Sequence, residues 1–427
     1  MVLGSVIGSG IFFVPAKVAE NLGQFEWVIA VWVVGGVLCM LGALSLAELA
    51  AMIPRAGGLY VYLKEAYGKL VAFLYGWSLF LVVRPAATGA LATVFATSLP
   101  VSEAWKVVIS VGVIALLATI NVMGVAWGGR VQMLTTVIKV AFLLFIALVP
   151  WFFGVADTAN FASVYESPKT EISVGHFMAA LLAVMFAYNS WHEVTPLAEE
   201  IKEPKRNLPW ALLVGVTILI VLYVGANIAY HSVLPMAGVI SEKNSAKALM
   251  DQIFGSVGGN VMMVLVMCSV FGTLNANLMH APRVYFAMGR DGVFFRQLGR
   301  VHSAYRTPVA AILSQAVLAC GMIAMARSID VPGEPSKVFY TLSNLVVFGG
   351  SIFYLLAVFA VVVLRRRQPD RERPYRTLGY PITPILFVGF YACFLPAIFV
   401  QRPVESWYGL GVIAIGIPAY CIWNRRP

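Results

Sequence analysis

The feature that most constrains this chain is a string of long apolar runs separated by short basic gaps. A helix needs about 20 apolar residues to cross ~30 Å of hydrocarbon. The chain offers twelve such runs, at roughly 1–19, 27–53, 70–97, 105–123, 131–153, 176–198, 208–232, 256–282, 308–326, 336–364, 380–400 and 406–424. Inside a bilayer only helices and closed barrels satisfy their own peptide groups, and runs this long and continuously apolar are helical. The expected fold is all-α and integral to the membrane, with twelve transmembrane helices.

Composition agrees. Of the 427 residues, 60% are hydrophobic and 12% are charged, against roughly 45–50% and about 25% in soluble domains. Too little polar surface remains to coat a water-soluble particle, which excludes a cytosolic enzyme, a secreted disulfide scaffold and a disordered chain. The lipid bilayer is the expected surrounding.

The net charge of +10 points to topology rather than to nucleic acid, and no nucleic-acid partner is expected. One set of alternate loops, from Arg55 to Arg426, holds 20 Lys and Arg, while the opposite set, from Lys17 to Arg402, holds 8. By the positive-inside rule both termini lie in the cytoplasm, as an even helix number requires, in the cell (cytoplasmic) membrane. Cys39, Cys268, Cys320, Cys393 and Cys421 all fall in apolar runs without CxxC spacing. They read as small buried hydrophobes, so no disulfide, metal or cofactor is expected.

Two runs are interrupted. Gly4, Ser5, Gly8, Ser9 and Gly10 crowd the first, and each glycine costs about 1 kcal/mol against alanine inside a helix. An unwound stretch at membrane depth is tolerated where it is buried or lines a cavity. Its free N–H groups, with the half-helix that starts near Ile11, form an anion site. The alternative is close helix packing through Gly4 and Gly8. A shift of 181 residues lays Gly8-Ser9-Gly10 on Asn189-Ser190-Trp191 and Pro15 on Pro196. Interrupted segments at matching places in two halves point to a substrate site between inverted repeats.

Lys139 lies nine residues beyond Arg130, about 13 Å along a helix in a ~30 Å slab. A lysine at that depth is costly and marks function rather than snorkelling. Arg84 precedes Pro85 within a span and needs a partner, with anchoring and gating both open. His192 titrates near neutrality if free; structural and coupling roles are both open. Asn275 lines the cavity or links helices, His280 reads as structural, and Glu199 and Glu200 with Lys202, Lys205 and Arg206 read as a local cytoplasmic ion-pair cluster.

These residues resemble the amino acid–polyamine–organocation (APC) transporter superfamily. Gly8-Ser9-Gly10-Ile11-Phe12 is similar to its first helix, and Glu48-Leu49 with Pro54-Arg55-Ala56-Gly57-Gly58-Leu59-Tyr60-Val61-Tyr62 to its first cytoplasmic loop. Phe186-Ala187-Tyr188, Trp191, Glu199-Glu200 and Glu203-Pro204-Lys205-Arg206-Asn207-Leu208-Pro209 are similar to helix six and its exit. Phe271-Gly272-Thr273-Leu274-Asn275-Ala276 and Arg283-Val284 with Arg290-Asp291-Gly292 are similar to helix eight. Arg84-Pro85-Ala86 adds likeness to the L-type amino acid branch, and the likeness spans nearly the whole chain.

The resemblance implies a LeuT-like fold of five-plus-five inverted repeats with helices one and six broken. The first repeat would cover 1–153 and the second 176–364, with the last two helices and a short cytoplasmic tail in 380–427. It implies a sodium-independent secondary transporter of amino acids, working by exchange or proton coupling through alternating access. A neutral α-amino acid would set its carboxylate on the N–H groups near Gly8, Ser9 and Gly10, and its ammonium on carbonyls near Val6, Ile7, Phe186 and Asn189. Phe186 would close as a gate, with Trp191 and Asn275 also lining the site. Lys139 would substitute for the cation of sodium-coupled members, contacting helix-one carbonyls and Ser269 or Thr273, and would open a route to proton coupling if it can lose its own proton.

Departures matter. Asn189-Ser190 stand where the L-type pattern often has two glycines, narrowing the pocket. The loop Ser98–Ala104 has no cysteine, so no disulfide-linked heavy chain is expected, and the carrier is expected to work as a monomer. Only Met1-Val2-Leu3 precede the glycine motif, so about two turns of a cytoplasmic half-helix are expected to be missing. A polyamine permease would need acidic groups at the breaks, and Glu20, Glu193, Glu199 and Glu200 are expected to lie mostly away from them. A membrane enzyme would need a catalytic constellation, whereas His176, His192, His231, His280 and His302 are scattered.

Overall fold

The computed structural model describes residues 1–164, 173–242, 244–329, 335–401 and 403–424. Lys169, Lys243, Arg402, Arg425 and Arg426 of the charge tally lie outside these described residues. Every described element is helical. In chain order they are α1 (Val2–Val6), α2 (Gly10–Leu22), α3 (Phe25–Met52), α4 (Leu59–Tyr67) and α5 (Lys69–Ser78), which passes through a π-turn at Leu79–Val83 into α6 (Arg84–Thr97). Then come α7 (Glu103–Val122), α8 (Val125–Phe152), α9 (Val174–Ala187), α10 (Pro204–Val233) and α11 (Met236–Ser241). The series ends with α12 (Ser245–Arg290), α13 (Val309–Ile329), α14 (Pro335–Arg367), α15 (Ile382–Gln401) and α16 (Pro403–Asn424).

Ten helices among the described residues are long and apolar enough to cross a bilayer. The two expected runs absent from that set are the interrupted ones. α1 and α2 hold 5 and 13 residues on either side of Ile7–Ser9. α9 stops after 14 residues at Ala187, and only a short 3-10 turn at Thr195–Glu200 continues it. α12 is two helices end to end, parted at Gly255, whose φ is 65°.

α3 packs along α10, α8 along α12 and α10, and α2 along α9, so both breaks lie inside a wall of continuous helices. Large apolar side chains such as Met133, Leu134, Val137 and Val221 point outward, as lipid-facing residues do. α8 begins at Val125, six residues before the expected start. Arg130 therefore sits within the helix, and Lys139 is the fifteenth of its 28 residues. The lysine is central to the span, deeper than the spacing from Arg130 implies.

Candidate functional site

The site is built where the two interrupted segments meet. Ser9 caps α2, its carbonyl accepting the Phe12 and Phe13 N–H groups at 3.1 and 3.3 Å. The carbonyls of Val6, Ile7 and Gly8 are released from helical bonding at this point, and side chains from elsewhere take them. Ser269 Oγ donates toward Ile7 O at 3.0 Å and Gly8 O at 3.2 Å, and Thr273 Oγ1 toward Ile7 O at 3.0 Å. Lys139, 3% exposed, donates from Nζ to Gly4 O and to Thr273 Oγ1, both at 2.9 Å. The ammonium is therefore matched by a carbonyl and a hydroxyl without a countercharge.

Gly10, at the start of α2, faces the end of α9. A Cβ on Gly10 would stand 2.8 Å from Ala187 Cα and 3.0 Å from Ala187 Cβ, closer than side-chain atoms approach backbone. The glycine is required for the two breaks to touch. The Tyr223 hydroxyl of α10 lies 3.2 Å from both Val6 O and Ala187 O. These are terminal carbonyls of α1 and α9, and one phenolic hydrogen cannot fully satisfy both.

Past Ala187 the backbone turns through Ser190 at φ 77°, a left-handed value that costs a non-glycine residue energy. Phe186 is half-buried and its carbonyl accepts the Asn189 N–H at 3.2 Å. Asn189 Oδ1 accepts the Ser190 N–H at 2.7 Å and the Tyr354 hydroxyl at 3.1 Å. Trp191 packs on α3, where a Cβ on Gly42 would come within 2.7 Å of its ring. A small void beside this turn is lined by Asn189, Trp191, Tyr354 and Tyr391.

Three readings of single residues are corrected. Asn275 does not face the breaks. Its Nδ2 donates to Gly128 O at 3.0 Å and Gln132 Oε1 at 2.9 Å, and its Oδ1 accepts from Asn121 at 2.9 Å, so it ties α12 to α7 and α8. Glu193 is not remote from the breaks: it lies in the turn after α9, 3% exposed, and is the partner of Arg84. Arg84 Nη1 also donates to Asn277 Oδ1 at 3.0 Å. His280 is more than packing, because its Nδ1 approaches Glu193 Oε2 at 2.6 Å. His192 Nε2 lies 3.5 Å from the other carboxylate oxygen. Charged residues inside spans, Arg84 and Glu193, are the sequence signals for this cluster, whereas nothing in an apolar run separates Tyr223 from ordinary core.

The expected local ion-pair cluster is also replaced. Glu199 binds Arg290 in two contacts of 2.9 and 3.1 Å and accepts the Ala56 N–H at 3.1 Å. Glu200 binds Arg283 at 2.8 and 3.2 Å, while Lys205 pairs with Glu372 at 3.3 Å. Asp291 takes Lys64 at 2.7 Å and the Tyr60 hydroxyl at 2.8 Å. The hydrogen bonds from Arg290 hold the Glu199 carboxyl below the usual carboxylate range. These pairs clamp the short turn after the second break to the end of α12 and to the loop before α4.

A family profile described as amino acid permease matches residues 1–417. The serine/threonine exchanger SteT of Bacillus subtilis (strain 168) is 34% identical over 433 residues, covering 100% of this chain and 95% of that protein. Asc-type amino acid transporter 1 of Mus musculus is 29% identical over 442 residues, covering 100% and 80%. The large neutral amino acids transporter small subunit 2 of Homo sapiens is 29% identical over 446 residues, again 100% and 80%. These relatives are transporters and exchangers, not enzymes. With its long apolar helices and a match of this extent, the chain belongs to the amino acid permease family of the APC superfamily, as a multi-pass membrane protein that transports amino acids.

Proposed function

We propose that the chain is a sodium-independent carrier of small neutral α-amino acids that works by alternating access, by exchange or with a proton. Ten long helices and two interrupted crossings make twelve, arranged as LeuT-like repeats over 1–153 and 176–364 with 380–427 outside them. Both termini are cytoplasmic. The substrate carboxylate meets the N–H groups around Gly8, Ser9 and Gly10, and the ammonium meets the carbonyls of the two breaks. Phe186 and Asn189 bound the pocket on the other side, with an edge of Trp191. One relative is named a serine/threonine exchanger, which supports small side chains, while another is named for large neutral amino acids. Asn189 and Ser190 in the second break favour the small ones. The loop Ser98–Ala104 holds no cysteine, which supports a carrier without a disulfide-linked partner at that loop.

The observation that carries this reading is the Lys139 ammonium seated on Gly4 O and Thr273 Oγ1, both at 2.9 Å. A resident cation already bridges the first break to α12, so no sodium ion is needed there. The ion pairs of Glu199 and Glu200 tie the turn after the second break to the end of α12, which supports a latch on the side read as cytoplasmic. Uptake by purified protein in proteoliposomes, with a panel of labelled amino acids, tests it. Serine and threonine should enter with or without sodium and faster when the lumen is preloaded. Sodium-driven accumulation, or silence across the panel, overturns it.

A further inference from the structure

Arg84, Glu193, His192 and His280 form a cluster of four ionisable side chains, none more than 3% exposed, and the substrate site uses none of them. Arg84 pairs with Glu193 Oε1, and His280 Nδ1 stands 2.6 Å from Oε2. The ring and the carboxylate are in contact, but the ring nitrogen has no aligned hydrogen bond. His192 sits 3.5 Å from Oε1 on the other side, and neither of its buried ring nitrogens has a hydrogen-bond partner. Its ring stands edge-on to Tyr354 at 4.5 Å, and Tyr354 lines the small void beside the turn. The other charged or titratable groups facing the cluster are Tyr75 behind the π-turn, Arg283 and Tyr285 on α12, and Tyr354 on α14.

The backbone that carries these groups is unequal. Arg84 begins α6 straight after a π-turn, and His280 belongs to the long α12. Glu193 and His192 belong to the turn that holds Ser190 at φ 77°. That turn is part of a broken helix, the element that alternating access displaces. If it moves, Glu193 leaves Arg84 and His280 together. A buried carboxylate stripped of its cation is neutralised by a proton rather than held charged.

We propose that Glu193, held between Arg84 and His280, is a proton-binding site that loads one proton in each transport cycle, so that an amino acid moves with a proton. The inference rests on the transport reading above and names its coupling ion. On the loading side a water proton passes by way of His192 to a Glu193 oxygen as the turn separates from Arg84, and an O–H bond forms. When the turn returns, Arg84 re-pairs with the carboxylate, and the proton leaves by way of His280 to water on the other side. No bond other than O–H and N–H changes.

A neutral amino acid carried with one proton moves one positive charge, so an inside-negative potential must drive accumulation. The ceiling for one charge is about fifty-fold per 100 mV. The test uses the full chain in proteoliposomes with L-serine. A potassium gradient with valinomycin sets the potential, a trapped dye reads lumenal pH, and counterflow of labelled serine reads transport without net coupling. The wild type should accumulate serine when the potential is imposed and acidify the lumen as it does so. Glu193→Gln should keep counterflow and lose both responses. Wild-type counterflow without potential drive or acidification overturns the proton site while leaving the transport reading intact, and so does Glu193→Gln that keeps both responses. Absence of counterflow in the wild type overturns the transport reading instead. Should Glu193→Gln be inactive because Arg84 is left unpaired, the charge-balanced Arg84→Gln/Glu193→Gln pair takes its place, with the same expected result and the same overturning one.

Discussion

The Lys139 ammonium donates to the main-chain carbonyl of Gly4 at 2.9 Å, linking the middle of α8 to the short helix before the first break. The same ammonium donates to Thr273 Oγ1, whose own hydrogen points to Ile7 O at 3.0 Å. One charge thus orders a chain from α8 through α12 to the unwound segment. A hydrogen bond involving a charged group is worth about 1.5–3 kcal/mol, and two are lost with the amine.

Lys139→Ala should therefore lower serine uptake by about 10- to 100-fold, which is ~1.4–2.7 kcal/mol of barrier. Lys139→Met, which keeps the stem and discards the charge, should lose nearly as much. Added sodium should not restore either variant. Initial rates in proteoliposomes check this, and a Lys139→Ala protein that transports at the wild-type rate removes the residue from the mechanism.

Gly10→Ala places a methyl group 2.8 Å from the Ala187 Cα, and neither backbone can yield without parting the two breaks. Overpacking of this kind costs about 1–3 kcal/mol. The variant should unfold at a lower temperature and transport poorly. Because part of the clash is with the Ala187 methyl group, Gly10→Ala/Ala187→Gly should recover part of both losses. A thermal melt in detergent together with uptake measures this, and full activity in the single variant contradicts the close approach.

Tyr223→Phe removes the hydroxyl that lies 3.2 Å from both Val6 O and Ala187 O. Two buried carbonyls then lose their donor, at a cost of about 1–3 kcal/mol. The apo protein should melt several degrees lower. A substrate ammonium supplies three N–H donors to the same carbonyls, so saturating serine should raise the melting temperature more in the variant than in the wild type. An equal shift in both would place the ammonium elsewhere.

The contrast between Lys139 and Asn275 explains what the sequence could reveal. Depth along a span is a one-dimensional quantity, so a lysine amid apolar residues announces itself, and crowded glycine and serine do the same for the first break. Direction around a helix is not recoverable when every face of the helix is buried, as in the second half of α12. There Thr273 turns toward the first break, Asn275 toward α7 and α8, and Asn277 toward Arg84. The partners of Arg84 and Arg283 follow the same logic. Glu200 lies 83 residues from Arg283, and a local reading gave it to neighbouring lysines because close sequence was the only proximity available.

Glu199 and Arg290 supply a last test, at the end of α12. The hydrogen bonds from Arg290 hold the Glu199 carboxyl below its usual range, where an unperturbed glutamate titrates near ~4.3. The folded-state value is depressed, so the pair contributes fully above the unfolded value and is lost only as pH falls through the lower folded one. Between pH 7.5 and 5.5 its contribution is constant, and a pH dependence of transport in that window arises elsewhere. With side chains 43% and 39% exposed, the pair is worth only about 0.2–1 kcal/mol. Glu199→Gln should thus raise the exchange rate or lower it by no more than about five-fold, leave the pH profile between 5.5 and 7.5 unchanged in shape, and be compensated by no change at Arg283. Exchange measured across that pH range decides it: a profile that flattens in Glu199→Gln makes this carboxylate, rather than a buried group, the source of the dependence.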